Sequence, residues 1–357
     1  MNQVQTSSRI RILLVEDSPV IRELLLYIID ADSAMEVVAT AADGEQAVAF
    51  AQHHKPDVVL MDIHLPKLDG FAATRQIMET CPTRVVVITA TSIPEQVAST
   101  FEAFDSGALT VMAKPPGPGN RDHRRLADEL LQTVKLMSEV RVVKRWPRLP
   151  NQEREPTGYL HDLAPDADIR LVAIGASTGG PPALREILSR LPRTFAAPIL
   201  IVQHISTGFA AGFAEWLAHT SGYDVRLARQ GEALQAGVAY VAPDGQQMAI
   251  SGDGTIVLQH GAPDNGMCPS VSFLFRSVAA VSGAHAIGIL LTGMGCDGAL
   301  ELKQMRQAGA LTIAQNQESS TVFGMPGEAV NIGAATYVLA PEEIAAALVD
   351  IVKPLER

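Results

Sequence analysis

Cysteine is nearly absent from this chain. Its 357 residues include three, Cys81, Cys268 and Cys296, far apart and without a C-x-x-C spacing. That argues against a disulfide framework and against a zinc site, and it fits a reducing compartment. Positive charge is in deficit: 28 Lys and Arg stand against 39 Asp and Glu, a net charge of −11. A protein held to nucleic acid by phosphate contacts needs clustered Lys and Arg, so no nucleic-acid partner is expected. The acidic excess serves solubility. Long apolar runs are missing too. No stretch is long enough to span a bilayer. The N-terminal M-N-Q-V-Q-T-S-S-R-I-R has no apolar core of the kind a signal peptide needs. A soluble, cytoplasmic protein with no direct membrane insertion is expected. The phosphate-cradling G-x-x-x-x-G-K-[ST] is absent, which disfavours a P-loop nucleotide-binding reading.

What is abundant is apolar residues, at 47%. With this length, two domains of ordinary size can each bury a core. In the first half, residues 10–15, 34–39, 57–61, 84–88 and 108–113 read as buried strands. Helical patterns begin at Pro19, at Asp43-Gly44, at Asp69-Gly70 and over residues 93–104. Strands alternating with helices predict an α/β domain with a doubly wound, five-stranded parallel sheet. The polar residues matter by position. Glu16 and Asp17 follow the first strand, Asp62 the third, Thr89 the fourth and Lys114 the fifth. Strand carboxyl ends converge on one end of such a sheet. Three carboxylates gathered there repel one another and call for a hard divalent cation, Mg²⁺ by preference. With a hydroxyl and an ammonium beside them, they suit a phosphoryl group carried on a carboxylate. Singly each residue reads as a helix cap or a surface charge; all five at matching strand ends do not.

On Glu16-Asp17, Asp62 in D-I-H-L-P-K-L-D-G, Thr89-Ala90 and Lys114-Pro115, the first half resembles a response-regulator receiver domain. The resemblance implies that Asp62 accepts a phosphoryl group from a histidine kinase. Glu16, Asp17 and Asp62 would hold Mg²⁺, Thr89 would bond the phosphoryl group, and Lys114 would pair with it. Receivers usually carry an aromatic residue three positions before the lysine; here that position is Val111. The expected extent is residues 8–140, followed by a linker over 141–168 that is proline-rich and lacks periodicity.

The second half, residues 169–357, again alternates strand and helix patterns. Residues 171–182 read L-V-A-I-G-A-S-T-G-G-P-P: a buried strand, a tight turn at Ser177 and a helix start. Residues 198–202 form a strand that delivers Gln203-His204, and residues 286–291 one that leads into T-G-M-G-C-D-G. Between Asp224 and Leu258, short runs with turn signals predict a hairpin insert. Ser177, His204 and Asp297 therefore fall at or just beyond strand carboxyl ends of one sheet, where they can meet. A serine hydroxyl needs a base to become a nucleophile, and a histidine base needs an anion to fix its tautomer. Taken alone, the Ser177 turn could equally be structural, His204 a satisfied core histidine and Asp297 a helix cap. G-A-S-T-G fits the G-x-S-x-G elbow of α/β-hydrolases. The order Ser, His, Asp disfavours that fold, unless Asp244 or Asp264 with His285 were the partners.

Longer motifs follow in order. They are G-A-S-T-G-G-P at 175–181, Q-H-I at 203–205, A-P-D-G at 242–245, P-S-V at 269–271, L-T-G-M-G-C-D-G at 291–298, and A-Q-N-Q-E-S-S-T-V-F-G-M-P-G-E-A at 314–329. On these the second half closely resembles the catalytic domain of CheB-type chemotaxis methylesterases, which also carry a receiver. The resemblance implies a triad of Ser177, His204 and Asp297, an oxyanion contact from the Met294 amide, and Thr178 at the active site. The implied reaction hydrolyses glutamate methyl esters on chemoreceptor cytoplasmic helices, releasing methanol, and deamidates receptor glutamines. No cofactor is implied for the ester chemistry. Regulation would follow from a receiver that covers the cleft until Asp62 is phosphorylated. Relatives often carry a basic residue shortly before P-S-V, where this chain has Gly266-Met267-Cys268.

Overall fold

The structure is a computed structural model, and it describes residues 9–90, 100–140 and 168–352. These fall into two compact units, separated in the chain by residues 141–167, which lie outside the described residues. The expected linker therefore lies outside them, as does most of the helix expected over residues 93–104.

The first unit runs β1 (Ile10–Val15), α1 (Pro19–Asp30), β2 (Met35–Ala41), α2 (Gly44–His54), β3 (Val58–Asp62), α3 (Gly70–Thr80), β4 (Arg84–Thr89), α4 (Ala103–Ser106), β5 (Thr110–Ala113) and α5 (His123–Glu139). The five strands form one parallel sheet in the order β2-β1-β3-β4-β5. Its inner strands read as apolar runs because both faces are covered. All five residues of β3 are buried, as are Ile12 to Val15 of β1. Burying each such Val, Leu or Ile contributes about 1.5–3 kcal/mol. Helix starts follow side-chain caps: Asp43 accepts from the Gln46 amide and Asp69 from the Ala72 amide, both at 2.8 Å. The strand order reverses at β1, so the crevice at the carboxyl ends of β1 and β3 is where this fold binds ligands.

The second unit runs β6 (Leu171–Ala176), α6 (Gly180–Arg190), β7 (Ile199–Gln203), α7 (Ala210–Ser221), β8 (Asp224–Leu227), β9 (Val238–Val241), β10 (Gln247–Ile250), β11 (Ile256–Gln259), α8 (Val271–Val281), β12 (Ala286–Leu290), α9 (Ala299–Gln307), β13 (Leu311–Gln315), α10 (Met325–Asn331), β14 (Tyr337–Leu339) and α11 (Pro341–Ile351). Seven strands make a parallel sheet in the order β14-β13-β12-β6-β7-β9-β8. One core cluster lies between this sheet and its helices, with Tyr240, Leu274, Phe275, Leu290 and Met305 fully buried in it.

The insert is only partly the hairpin expected. β10 and β11 pair antiparallel, but β8 and β9 pair in parallel within the main sheet. Four-residue strands offer too few positions to tell alternation from continuous burial, and all of β9 is buried. β14 and α10 were not expected from the sequence; at 3 and 7 residues they are too short to show a period.

The strand order of the larger sheet reverses at β6, which has β7 on one side and β12 on the other. The ladder continues past the strand ends. The His204 amide donates to Ala176 O at 2.9 Å, Leu291 to Gly175 O at 2.8 Å, and Ser177 to Thr292 O at 3.0 Å. The segments carrying Ser177, His204 and Asp297 are thereby fixed to one another through backbone.

Candidate functional site

Ser177 is half-buried in the turn between β6 and α6. The turn is closed by Gly179 at φ +81°, where a Cβ would lie 2.3 Å from Thr321 Oγ1. His204 follows β7, and its Nε2 lies 2.9 Å from Asp297 Oδ2. A carboxylate only accepts, so this bond places the imidazole proton on Nε2. Nδ1 is left with a free lone pair, and among the described residues it is buried without a hydrogen-bond partner. One side chain ties the base to the serine. Gln203 Nε2 donates to Ser177 O at 2.8 Å and to His204 O at 2.9 Å.

Asp297 sits at the amino end of α8. Its Oδ1 accepts from Ser270 Oγ at 3.0 Å and from the Ser272 amide at 3.1 Å; Oδ2 accepts from the Val271 amide at 2.8 Å and from His204. Burial pushes this carboxyl up. The hydrogen bonds from His204, Ser272 and the Val271 amide outweigh burial and bring its pKa down to about 2. The buried amide groups at the start of α8, which have no partner within the helix, reinforce the anion. Ser270 is the cap of α8, accepting from Phe273 N at 3.3 Å, and is itself held by Gln247 of β10. Gln247 Oε1 accepts from Ser270 N at 2.8 Å while its Nε2 donates to Met267 O at 2.9 Å. The hairpin insert thus serves the acid's position.

The T-G-M-G segment lies against the serine. A Cβ on Gly293 would fall 2.6 Å from Ser177 Cβ and 2.4 Å from Met325 Sδ. The next residue, Met294, is half-buried, and among the described residues its amide has no protein partner; the same holds for the Thr178 amide. Thr292 pins this segment: its amide donates to Gln315 Oε1 at 2.8 Å, and its hydroxyl donates to Thr178 O at 2.9 Å. Asp244, Asp264 and His285, weighed from sequence as alternative partners, are elsewhere. Asp244 accepts from Ala210 N at 3.4 Å, Asp264 pairs with Arg276, and His285 bonds Asp168 O at 2.9 Å.

Ser270, Ser272, Gln203 and Gln247 are the polar residues that sequence reasoning missed. Gln203 and Ser270 lie inside quoted motifs, but nothing in the linear pattern says that their bonds go to the acid and to the serine turn.

In the first unit, Glu16, Asp17 and Asp62 bring carboxylate oxygens within 4.8 Å of one another. Lys114 Nζ lies 2.7 Å from Glu16 Oε2 and 2.9 Å from Asp62 Oδ2. Thr89 is buried at the end of β4, and its carbonyl accepts from Lys114 N at 2.8 Å. Burial raises the Glu16 carboxyl, as does the neighbouring Asp62, against the pull of Lys114. Three carboxylates against one ammonium leave an excess of negative charge, and the all-oxygen donor set is the kind Mg²⁺ takes. The residues fit that ion.

Comparison with known proteins finds two family matches. Residues 12–122 match the response regulator receiver domain, and residues 172–348 match the CheB methylesterase. The chain is a response regulator: a receiver joined to an α/β output domain. Its family is equally plain. It is 51% identical over 96% of its length to 97% of a protein-glutamate methylesterase/protein-glutamine glutaminase of Nitrosospira multiformis. It is 50% identical, over 96% of its length and 99% of the relative's, to one from Geobacter metallireducens. The crystal structure of the Thermotoga maritima CheB methylesterase catalytic domain aligns with a TM-score of 0.50 at 35% identity, covering 52% of this chain and 99% of that one. The chain belongs to the CheB methylesterase family. No described helix is long and apolar enough to cross a membrane.

Proposed function

We propose that this protein hydrolyses γ-methyl esters of glutamate side chains on chemoreceptor cytoplasmic helices and deamidates receptor glutamines, under control of phosphorylation at Asp62. The receiver would span residues 8–140, the linker 141–168 and the catalytic domain 169–357. The observation that carries the reading is the His204–Asp297 bond through Nε2, which leaves Nδ1 unprotonated on the strand end next to the one that carries Ser177.

In the first step Ser177 Oγ attacks the ester carbonyl and its proton passes to His204 Nδ1. Asp297 holds the ring and balances its charge as it becomes imidazolium. The unpartnered amides of Met294 and Thr178 are the donors for the oxyanion. Collapse expels methanol, which takes the proton from His204. Water then attacks the acyl-serine and gives its proton to the same nitrogen; on collapse His204 returns that proton to Ser177 Oγ, and the glutamate leaves. A glutamine substrate follows the same path with ammonia as the leaving group.

In the receiver, Asp62 accepts the phosphoryl group from a CheA-type histidine kinase. Mg²⁺, held by Glu16, Asp17 and Asp62, would neutralise charge on the transferring group. Lys114 is placed to pair with a phosphoryl oxygen, and Thr89 to hydrogen-bond one.

The test is methanol release from methylated receptor. Ser177→Ala should abolish it, and Asp62→Asn should remove stimulation by a small phosphodonor while sparing the basal rate. Equal stimulation of Asp62→Asn and parent would sink the regulatory half; activity in Ser177→Ala would sink the catalytic half.

A further inference from the structure

Asp297 is braced from a second direction that no step of the chemistry uses. Ser272, at the second position of α8, is 1% exposed and bonds on three sides. Its amide donates to Asp297 Oδ1 at 3.1 Å, its hydroxyl donates to Glu301 Oε2 at 2.7 Å, and the same hydroxyl accepts from Gly298 N at 2.9 Å. Gly298 is the residue after Asp297, and Glu301 lies one turn beyond it in α9. Glu301 is 6% exposed, and its other oxygen accepts from Arg276 at 3.1 Å. Arg276, on α8, also pairs with Asp264.

We infer that Ser272 and Glu301 are positioning residues for Asp297, and through it for His204. This rests on the triad reading above. A serine hydroxyl has one proton and two lone pairs. An ionised Glu301 can only accept, so the proton must point to it, and a lone pair is then turned to the Gly298 amide. The anion on α9 thereby sets the polarity of a bond that fastens the peptide next to Asp297. A first-turn glutamate serving only its own helix would spend its oxygens on α9 amides or on solvent. This one is buried, and its oxygens bond to Ser272 and Arg276 of α8. Arg276 holds the other oxygen of Glu301, and Asp264 anchors Arg276 from the far side. Asp297 is the ionisable group bonded to His204, and the pair Glu301–Arg276 is its nearest charged support along this network.

The experiment uses the full chain. Glu301→Gln keeps shape but lets an amide N–H face Ser272 Oγ, so the hydroxyl's direction is no longer dictated. The expected result is a fall in kcat of about tenfold, the worth of one hydrogen bond, with KM unchanged. Ser272→Ala should lose at least as much. The double variant should lose no more than Ser272→Ala alone, because both changes act through one hydroxyl. The downfield proton resonance of His204 Nε2–H should broaden or move upfield in Glu301→Gln, while thermal unfolding shows the fold intact. A folded Glu301→Gln with parental kcat and an unmoved proton overturns the inference, as do additive losses in the double variant. If Ser272→Ala does not fold, Glu301→Gln decides alone. If Ser177→Ala is dead while Glu301→Gln is parental, only the positioning role falls. If Ser177→Ala remains active, the triad reading falls instead.

Discussion

Replacing Asp297 with Asn alters few atoms and much of the logic of the site. The carboxylate accepts four hydrogen bonds, two on each oxygen, and every donor is fixed. Asn offers one oxygen and one NH₂. With the NH₂ at the Oδ2 position it faces the Val271 amide, donor against donor, and His204 can bond it only with an unprotonated Nε2. The proton then sits on Nδ1, and the base is gone. With the NH₂ at the Oδ1 position it faces the Ser272 amide instead. Either way one buried N–H at the start of α8 loses its acceptor, which costs about 1–3 kcal/mol. Loss of the anion there costs up to about 2 kcal/mol more. The pKa route gives a similar size. Asp297 is lowered from 3.8 to about 2, which corresponds to about 2 kcal/mol at neutral pH. Because the folded pKa is the depressed one, this stability is complete above the unfolded value and is lost as pH falls through the folded value. The stability gap between parent and Asp297→Asn should therefore narrow as pH drops below about 4. With the NH₂ at the Oδ2 position, methanol release should fall about 10³–10⁴-fold from the wrong tautomer; in the other orientation only the loss of the anion lowers it. The assays are single-turnover methanol release and urea unfolding at several pH values. A folded variant within about threefold of parental rate would refute the tautomer argument. A gap that stays constant into acid would refute the assignment of the stability to this carboxylate.

Three further outcomes follow from the geometry. Gly293→Ala should cut kcat about 100-fold with a smaller effect on folding, because the new methyl group displaces Ser177; parental kcat would show that the turn absorbs the clash. Ser270→Ala removes a helix cap and one bond to Asp297, and should cost about 1–2 kcal/mol in urea unfolding together with part of the rate; unchanged stability would mean that the cap is replaced. Mg²⁺ should stabilise the parent receiver by about 1–3 kcal/mol at saturation by relieving the carboxylate cluster, and Asp17→Asn should reduce that gain; equal gains in both would place the ion elsewhere.

Both sheets were legible in sequence because parallel strands covered on two faces are written as unbroken apolar runs, such as V-V-L-M before Asp62. The residues at the ends of those runs were legible for the same reason: once a strand's end is known, so is the end of the sheet. Ser270 and Ser272 were not. Their acceptor, Asp297, is 27 and 25 positions away, and a serine at a helix start already has an ordinary local explanation as a cap. Gln203 was hidden in another way. Its bonds go to backbone carbonyls, which every residue has, so no residue type elsewhere signals the partner. β8 and β9 were misassigned because Gly and Asp turn signals are shared by hairpins and by tight connections between parallel strands. The direction of a four-residue strand is settled only by its neighbours in the sheet.

The placement of Ser177, His204 and Asp297 behind three different strands also bears on how the protein acquires activity. His204 and Asp297 are 93 residues apart in the chain, and the strands that bring them together, β6, β7 and β12, are neighbours only in the finished sheet. Closing such long loops is entropically slow, and parallel pairing yields little until it is nearly complete. Helices and the β10–β11 hairpin can form earlier from local contacts. Enzymatic competence should therefore be among the last signals to return on refolding, later than helical circular dichroism. A collapsed intermediate would be silent in any ester assay even with most of its secondary structure in place.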